Sequence, residues 1–410
     1  MSRRRVVVTG LGIISPVGNT VAEAWQNIVA GKSGINTITR FDASSFASQV
    51  AGEVKNFDVS AYLSPKEARR MDVFIHYGMA AGIQAFKDAG IEVTEQNAER
   101  IGVNIGSGIG GLPMIESTHD DFLGGGARKV SPFFIPSSII NMISGNLSIT
   151  LGLKGPNLAV VTACTTGLHA IGISSRMIEY GDADVMVCGG AESCVTPLAI
   201  GGFGSAKALS TRNDDPVTAS RPWDTGRDGF VLGEGAGVLV LEEYEHAKQR
   251  GAKIYAELTG FGMSGDAFHM TAPDTDGPRR SMLNALKNAG VNPDEVQYLN
   301  AHGTSTPLGD KNETDAIKLA LGDAAKKAVV NSTKSMTGHL LGAAGGLESA
   351  LTVLAVYHQI SPPTINIFEQ DPECDLDYCA NTARDMKIDV AIKNNFGFGG
   401  TNGSLVFRRV

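Results

Sequence analysis

The stretch Ala159-Val160-Val161-Thr162-Ala163-Cys164 is echoed downstream by Ala328-Val329-Val330-Asn331-Ser332-Thr333. Each copy is a short β-branched run that ends in small or polar residues and leads toward a long helical stretch. Gly167 and His169 follow the first copy, Gly338 and His339 the second. A second pair closes the halves alike: Phe230-x-x-Gly233-x-x-x-Gly237-x-Leu239-Val240 against Phe396-x-x-Gly399-x-x-x-Gly403-x-Leu405-Val406. Self-similarity of this kind marks a repeated structural unit. It predicts two related halves, 1–255 and 256–410, packed back to back about a pseudo-twofold axis, with loops from both meeting at one cleft.

Outward from these echoes, apolar and β-branched runs predict strands over 5–9, 101–105, 158–162, 185–188, 237–241, 254–260, 296–299, 328–331 and 404–407. Helices are expected over 21–30, 66–89, 165–180, 278–289, 311–321 and 340–357. Apolar strands alternating with helices specify an α/β fold whose sheets are covered by helices.

The chain has 410 residues, 42% hydrophobic and 19% charged, enough apolar side chain for a large buried core. Its net charge of −8 argues against nucleic acid as the main partner. Glycine is abundant, 50 of the 410 residues, against a usual share of about 7%. The glycines are not periodic and cluster at the ends of apolar runs, where backbones can approach closely. The five cysteines, Cys164, Cys188, Cys194, Cys374 and Cys379, show neither metal-ligand nor disulfide spacing, which fits a reducing compartment. Cys188, inside an apolar run, reads as a core thiol. Arg3-Arg4-Arg5 ahead of Val6-Val7-Val8 faintly resembles a signal peptide, but Thr9, Gly10 and Gly12 break the apolar run at once. No run is long and apolar enough to span a membrane, and the expected location is the cytoplasm.

Three polar segments carry chemistry. Cys164 is expected at the turn between a strand and a helix, where the helix N-terminus favours a thiolate and backbone N–H groups can cradle an oxyanion. A lone cysteine is more often a buried structural thiol, so its company matters. His302 sits in Asn300-Ala301-His302-Gly303-Thr304-Ser305-Thr306-Pro307, a small-residue loop that packing explains poorly. Lys334 and His339 sit in Thr333-Lys334-Ser335-Met336-Thr337-Gly338-His339, unusually polar between an apolar strand and an Ala/Gly-rich helix, with Glu348 the nearest carboxylate for Lys334. A thiol with two imidazoles on loops is equipment for covalent acyl chemistry. The segment Asn394–Gly403 reads as a mobile loop around Phe396 and Phe398. The run Gly106–Gly111 looks like a nucleotide loop but lacks the dinucleotide spacing and a Walker lysine. Asp310 and Glu313 are acids at a helix start, at home there for dipole reasons alone.

Taken together and in order, from Val6-Val7-Val8-Thr9-Gly10-Leu11-Gly12 through Cys164, Asn300–Pro307 and Lys334–His339 to Phe396–Ser404, these motifs resemble β-ketoacyl-acyl-carrier-protein synthases, most nearly the bacterial type II form. The resemblance covers the whole chain. It implies the thiolase-like fold, two similar halves in a five-layered α-β-α-β-α stack, and a homodimer. It implies Cys164 as the acyl-accepting nucleophile and His302 and His339 as the pair assisting malonyl decarboxylation. Lys334, partnered by Glu348, would orient His339. Phe398 would gate the site, its N–H joining that of Cys164 in the oxyanion hole. Thr304 and Thr306 would bond the phosphopantetheine arm, and Ile109 and Phe203 would wall the acyl pocket. The implied partner is an acyl carrier protein, acyl- or malonyl-loaded, with no metal, no cofactor, no nucleic acid and no membrane. Asn395 stands where serine is usual, and Thr166 and Leu168 vary beside the nucleophile.

Other readings are weaker. A thiolase needs a second cysteine in the C-terminal loop, and Asn394–Gly403 has none. Non-catalytic chain-length partners lack the nucleophile, and a dehydrogenase rests on Gly106–Gly111 alone. Type I or polyketide-like ketosynthases share the Cys-His-His set. Because the carrier is acidic like this chain, local bases must dock it. Lys66, Arg69 and Arg70, spaced i, i+3 and i+4 on a predicted helix, with Arg128, Lys129 and Lys207, are the expected patch at the channel mouth.

Overall fold

A computed structural model describes residues 3–410. Ten strands form one connected sheet. From one edge they run Val329–Asn331, Tyr298–Asn300, Val390–Gly397, Thr401–Arg408, Ala256–Gly265, then Val6–Ile14, Gly235–Glu243, Val185–Glu192, Ile101–Gly106 and Asn157–Leu158. Numbered by their order in each half of the chain, the strands on both sides read 1-5-4-2-3 from centre to edge. Among the described residues the two sides share only the pairs Val7↔Glu257 and Val8↔Ala256. That slight seam lets each five-stranded half fold over the helices between them.

Those helices, Thr166–Tyr180 and Ala344–His358, form the middle layer. Alternate side chains of each strand serve different cores, as a period of two requires. Met186, Cys188, Leu239 and Leu241 of one half and Phe261, Leu405 and Phe407 of the other pack on the central helices around Leu168, Ile171, Leu347 and Leu351. Val185, Val187, Val238 and Val240 face outward against helix Val73–Ala89. Leu299, Val330, Ile392 and Val406 do the same against Asp276–Ala289 and Pro307–Leu321. The order is α-β-α-β-α, the stack expected from the resemblance.

Glycine lets the central helices meet backbone to backbone. A Cβ on Gly345 would lie 2.2 Å from Leu168 N, one on Gly346 2.1 Å from Gly237 O, and one on Gly167 2.6 Å from Gly346 N. Residues 344–356 are buried on every side, as a helix at the centre of a large core must be.

Four sequence expectations change. The predicted helix 66–89 is two helices, Pro65–Ala68 and Val73–Ala89, because Asp72 caps the second by accepting from Phe74 N–H at 3.2 Å. Lys66, Arg69 and Arg70 therefore do not share one long helical face. The predicted strand 158–162 ends at Leu158, and the Thr162 N–H donates instead to Thr166 Oγ1 at 2.8 Å. The predicted loop Asn394–Gly403 is a hairpin, Val390–Gly397 to Thr401–Arg408, whose strands cross the core despite Lys393, Asn394 and Asn395. The Gly-His echo is not structural: Gly167 and His169 lie inside their helix, whereas Gly338 and His339 precede theirs.

Candidate active site

The nucleophile turn is Ala163–Thr165, one 3-10 turn ahead of helix Thr166–Tyr180. Ala163 takes φ +49, as does Leu341 at the equivalent turn of the second half, a left-handed conformation costly for residues with a Cβ. The surroundings hold it there. Thr166 Oγ1 donates to Ala163 O at 2.7 Å, Thr165 Oγ1 to Thr401 O at 3.0 Å. His169 spans from Thr162 Oγ1 at 2.9 Å to Asn402 O at 3.2 Å. It ties the turn to the C-terminal hairpin.

One cavity of about 490 Å³ brings the two halves together: Cys164, Phe203 and Phe230 from the first, His302, Thr304, Thr306, His339 and Phe398 from the second. The His302 and His339 rings stand 5.2 Å apart, edge to face. Thr304 and Thr306 hydroxyls are 3.0 Å apart on its wall. Ile109 does not line it. Ile109 sits in the turn after Ile101–Gly106, its side chain 39% exposed, while its N–H donates to Glu192 at 3.1 Å. The rest of that turn does likewise: Gly108 N–H at 2.7 Å and Ser107 Oγ at 2.7 Å also bind Glu192. The nucleotide-like loop thus holds a resident carboxylate, which also accepts from Gly342 N–H at 3.0 Å and links the halves.

The loop of His302 is held from behind. Glu313 accepts the N–H groups of His302 at 2.8 Å and Gly303 at 2.7 Å, and Asp310 accepts those of Ser305 at 3.1 Å and Trp223 at 3.0 Å. Both acids are buried, so they do more than complement a helix dipole. Burial pushes Asp310 up to about 7 against the opposing pull of Arg227.

Behind the histidines lies a charge cluster. Lys334 Nζ is 2.5 Å from Glu348 Oε1, the pairing expected from sequence, and Lys393 Nζ is 2.7 Å from Glu348 Oε2. Asn395 Nδ2 reaches Glu348 Oε2 at 3.2 Å and His302 Nδ1 at 3.3 Å. Nothing in the sequence analysis singles out Lys393, and Asn395 enters it only within Asn394–Gly403 and as a residue standing where serine is usual. Three consecutive polar residues after Val390-Ala391-Ile392 were the available signal. Burial lowers Lys393 to about 8, with Glu348 pulling the other way. The lysines and burial hold His302 and His339 well below 6.5, burial being the larger cause.

The thiol differs from expectation. Burial pushes Cys164 up to about 12; Lys334 and the backbone N–H groups of Phe398 and Cys164 pull it down without reversing that. Desolvation outweighs the helix terminus, even though Cys164 is only half-buried beside the cavity. Those two N–H groups act on the sulfur from the nucleophile turn and from the Phe398 loop.

The six bases expected at the carrier surface are all exposed. Arg70 stacks on Phe133 at 4.3 Å, close in sequence to Arg128 and Lys129. Lys207 lies between Ala206 and Ala208, which line the cavity, whereas Lys66, Arg69 and Arg70 do not line it.

Comparison places this architecture among known proteins. Over its full length the chain is 61% identical to the 3-oxoacyl-[acyl-carrier-protein] synthase 2 of Vibrio harveyi and 59% identical to that of Coxiella burnetii, covering 100% of each. Among solved structures, a type II PKS acyl-carrier protein in complex with its ketosynthase, bound to the hexaketide, matches with a TM-score of 0.93 and 37% identity over 100% of both chains. Residues 3–247 match the β-ketoacyl synthase N-terminal domain and residues 255–368 its C-terminal domain. With the paired halves, the cysteine turn and the facing histidines all accounted for by that match, the chain belongs to the β-ketoacyl synthase family.

Proposed function

We propose that the protein catalyses decarboxylative Claisen condensation of an acyl group with malonyl-acyl carrier protein in fatty-acid elongation. The observation that carries this is the single cavity joining Cys164 to His302, His339 and the Phe398 loop. Cys164 sulfur attacks the acyl thioester, its proton passes to a neutral imidazole, and the carrier thiol leaves, giving acyl-Cys164. The N–H groups of Cys164 and Phe398 stabilise the tetrahedral oxyanion. Malonyl carrier then enters, Thr304 and Thr306 bonding its pantetheine arm. Loss of CO2 leaves an enolate whose oxygen accepts from His302 and His339. The enolate carbon attacks the acyl carbonyl, the C–S bond breaks, and 3-ketoacyl carrier departs while the Cys164 thiolate takes up a proton from solvent, the first having left with the carrier thiol. Burial and the Lys334 ammonium keep both imidazoles neutral, and Phe398 gates access to the sulfur. Phe203 walls the acyl pocket.

Two functional units, 1–255 with the nucleophile and 256–410 with the histidines, fit this division of labour. The type II elongation form is favoured because identity is 61% to a 3-oxoacyl-[acyl-carrier-protein] synthase 2 against 37% to the PKS ketosynthase. All five cysteines are free, and no helix among the described residues is long and apolar enough to cross a membrane. Both observations support a cytoplasmic setting. A homodimer is supported by the exposed Phe122, Leu123, Ile135 and Ile149 on the successive helices Leu112–Gly125, Phe134–Ser138 and Met142–Leu151, the last of which packs on the sheet-edge strand Asn157–Leu158, since apolar surface of that kind marks an interface. Sedimentation should show a dimer. The deciding experiment is the mass of Cys164 after incubation with acyl carrier protein: an acyl adduct that malonyl carrier discharges as 3-ketoacyl carrier is expected. Turnover by Cys164→Ala at the wild-type rate would refute the mechanism.

A further inference from the structure

Glu348 is pinned from both sides, by Lys334 at 2.5 Å and Lys393 at 2.7 Å, and all three side chains are buried. A carboxylate between two ammonium groups is ionised and can only accept hydrogen bonds. One corner of the Asn395 carboxamide lies 3.2 Å from Glu348 Oε2 and 3.3 Å from His302 Nδ1. An amide oxygen at that corner would face the carboxylate oxygen in a low-dielectric interior, so the corner is the NH2 group. Its two hydrogens have two acceptors, Glu348 Oε2 and His302 Nδ1. The Asn395 carbonyl oxygen is left buried without a protein partner, a cost borne to keep the NH2 in place.

We propose that Asn395 is a positioning residue that holds neutral His302 as its Nε2–H tautomer, turning that N–H into the cavity to donate to the malonyl thioester oxygen as it becomes an enolate. The inference rests on the decarboxylation proposed above. A ring nitrogen that accepts carries no proton, so Asn395 fixes which nitrogen donates. The charged and titratable groups around the ring are Lys334, Lys393 and His339, with Glu313 at the loop N–H and Glu348 beyond Asn395. The cations and burial keep the ring neutral, so a tautomer exists to be selected.

The test is 15N NMR of the full-length protein with labelled histidine at neutral pH, His302 being assigned by the signals lost in His302→Gln. Wild type should show an unprotonated Nδ1 and a protonated Nε2. Asn395→Leu keeps the bulk and removes the donor, so nothing holds Nδ1 unprotonated and the Nδ1–H form should appear. Malonyl decarboxylation should then fall by about tenfold or more, while Cys164 acylation stays within about twofold. Asn395→Ser keeps a hydroxyl donor and should retain the Nε2–H tautomer and most of the rate; it also serves if Asn395→Leu does not fold. A wild-type His302 protonated at Nδ1, or an Asn395→Ser protein that loses the tautomer, overturns the proposal. So does a folded Asn395→Leu protein with unchanged tautomer and rate. If Cys164 accepts no acyl group while His302 still shows the Nε2–H form, the condensation reading fails and the positioning role stands.

Discussion

Burial pushes the Cys164 thiol up to about 12, so the resting sulfur is protonated at neutral pH and attack must hand its proton to a neighbour. The histidines suit that task because burial and Lys334 hold both well below 6.5. Alkylation of resting Cys164 by iodoacetamide should therefore be slow at pH 7 and climb by about tenfold per unit toward pH 10. Lys334→Met should slow it further, since Lys334 pulls the thiol down. A rate already flat across that range, followed by mass spectrometry, would show a preformed thiolate. The imidazoles give a second expectation. A base whose pKa is depressed stays neutral as pH falls through its ordinary value. Malonyl decarboxylation by Cys164→Gln, whose amide mimics the acylated state, should stay level from about pH 8 to about pH 6. A break near 6.5 in that profile would place an ordinary histidine in the rate.

At the scale of elements, the central helices decide where these residues stand. Gly345 and Gly346 let helix Ala344–His358 lie against Leu168 N and Gly237 O, where any Cβ would sit 2.1–2.2 Å from backbone atoms. Backbone cannot yield as a side-chain tip can, so Gly346→Val should cost about 2–3 kcal/mol. The measurement is the urea midpoint with an unchanged slope; an unmoved midpoint would show that the crossing is not tight. Activity should fall further than stability alone explains, because the same helix carries Glu348. The exposed glycines Gly124 and Gly202, whose Cβ positions are open, are the matched controls.

For the whole molecule, charge sets the question. The chain carries net −8, yet the proposed partner is acidic, so docking must rely on local bases. The exposed Lys66 and Arg69 have no ion-pair partner among the described residues and are free to serve. Lys66→Glu with Arg69→Glu should raise the KM for acyl carrier protein several-fold, and wild-type KM should rise with salt. Turnover of a small pantetheine thioester should barely change. Equal effects on both substrates, or none on either, would move the docking surface elsewhere.

The duplicated α/β plan, Cys164, both histidines and the Lys334–Glu348 pair were legible because short-range pattern carries them. β-branched runs make strands, a repeated segment makes a repeated unit, and a polar run between apolar elements must find partners. What needed the tertiary structure was whatever depends on a distant neighbour. Val390–Gly397 reads as loop because Lys393, Asn394 and Asn395 are poor strand formers, and it is a strand because Glu348, His302 and Ser404 satisfy them across the core. The thiol's pKa goes the opposite way from local expectation because desolvation is a property of the surrounding packing and not of the turn. Asp310 and Glu313 look like helix-start acids until the loop whose N–H groups they hold folds onto them. Sequence determined which groups were present and the alternation of strands and helices that carries them; only the packing of the two halves decided which were buried, which were charged and which faced one another.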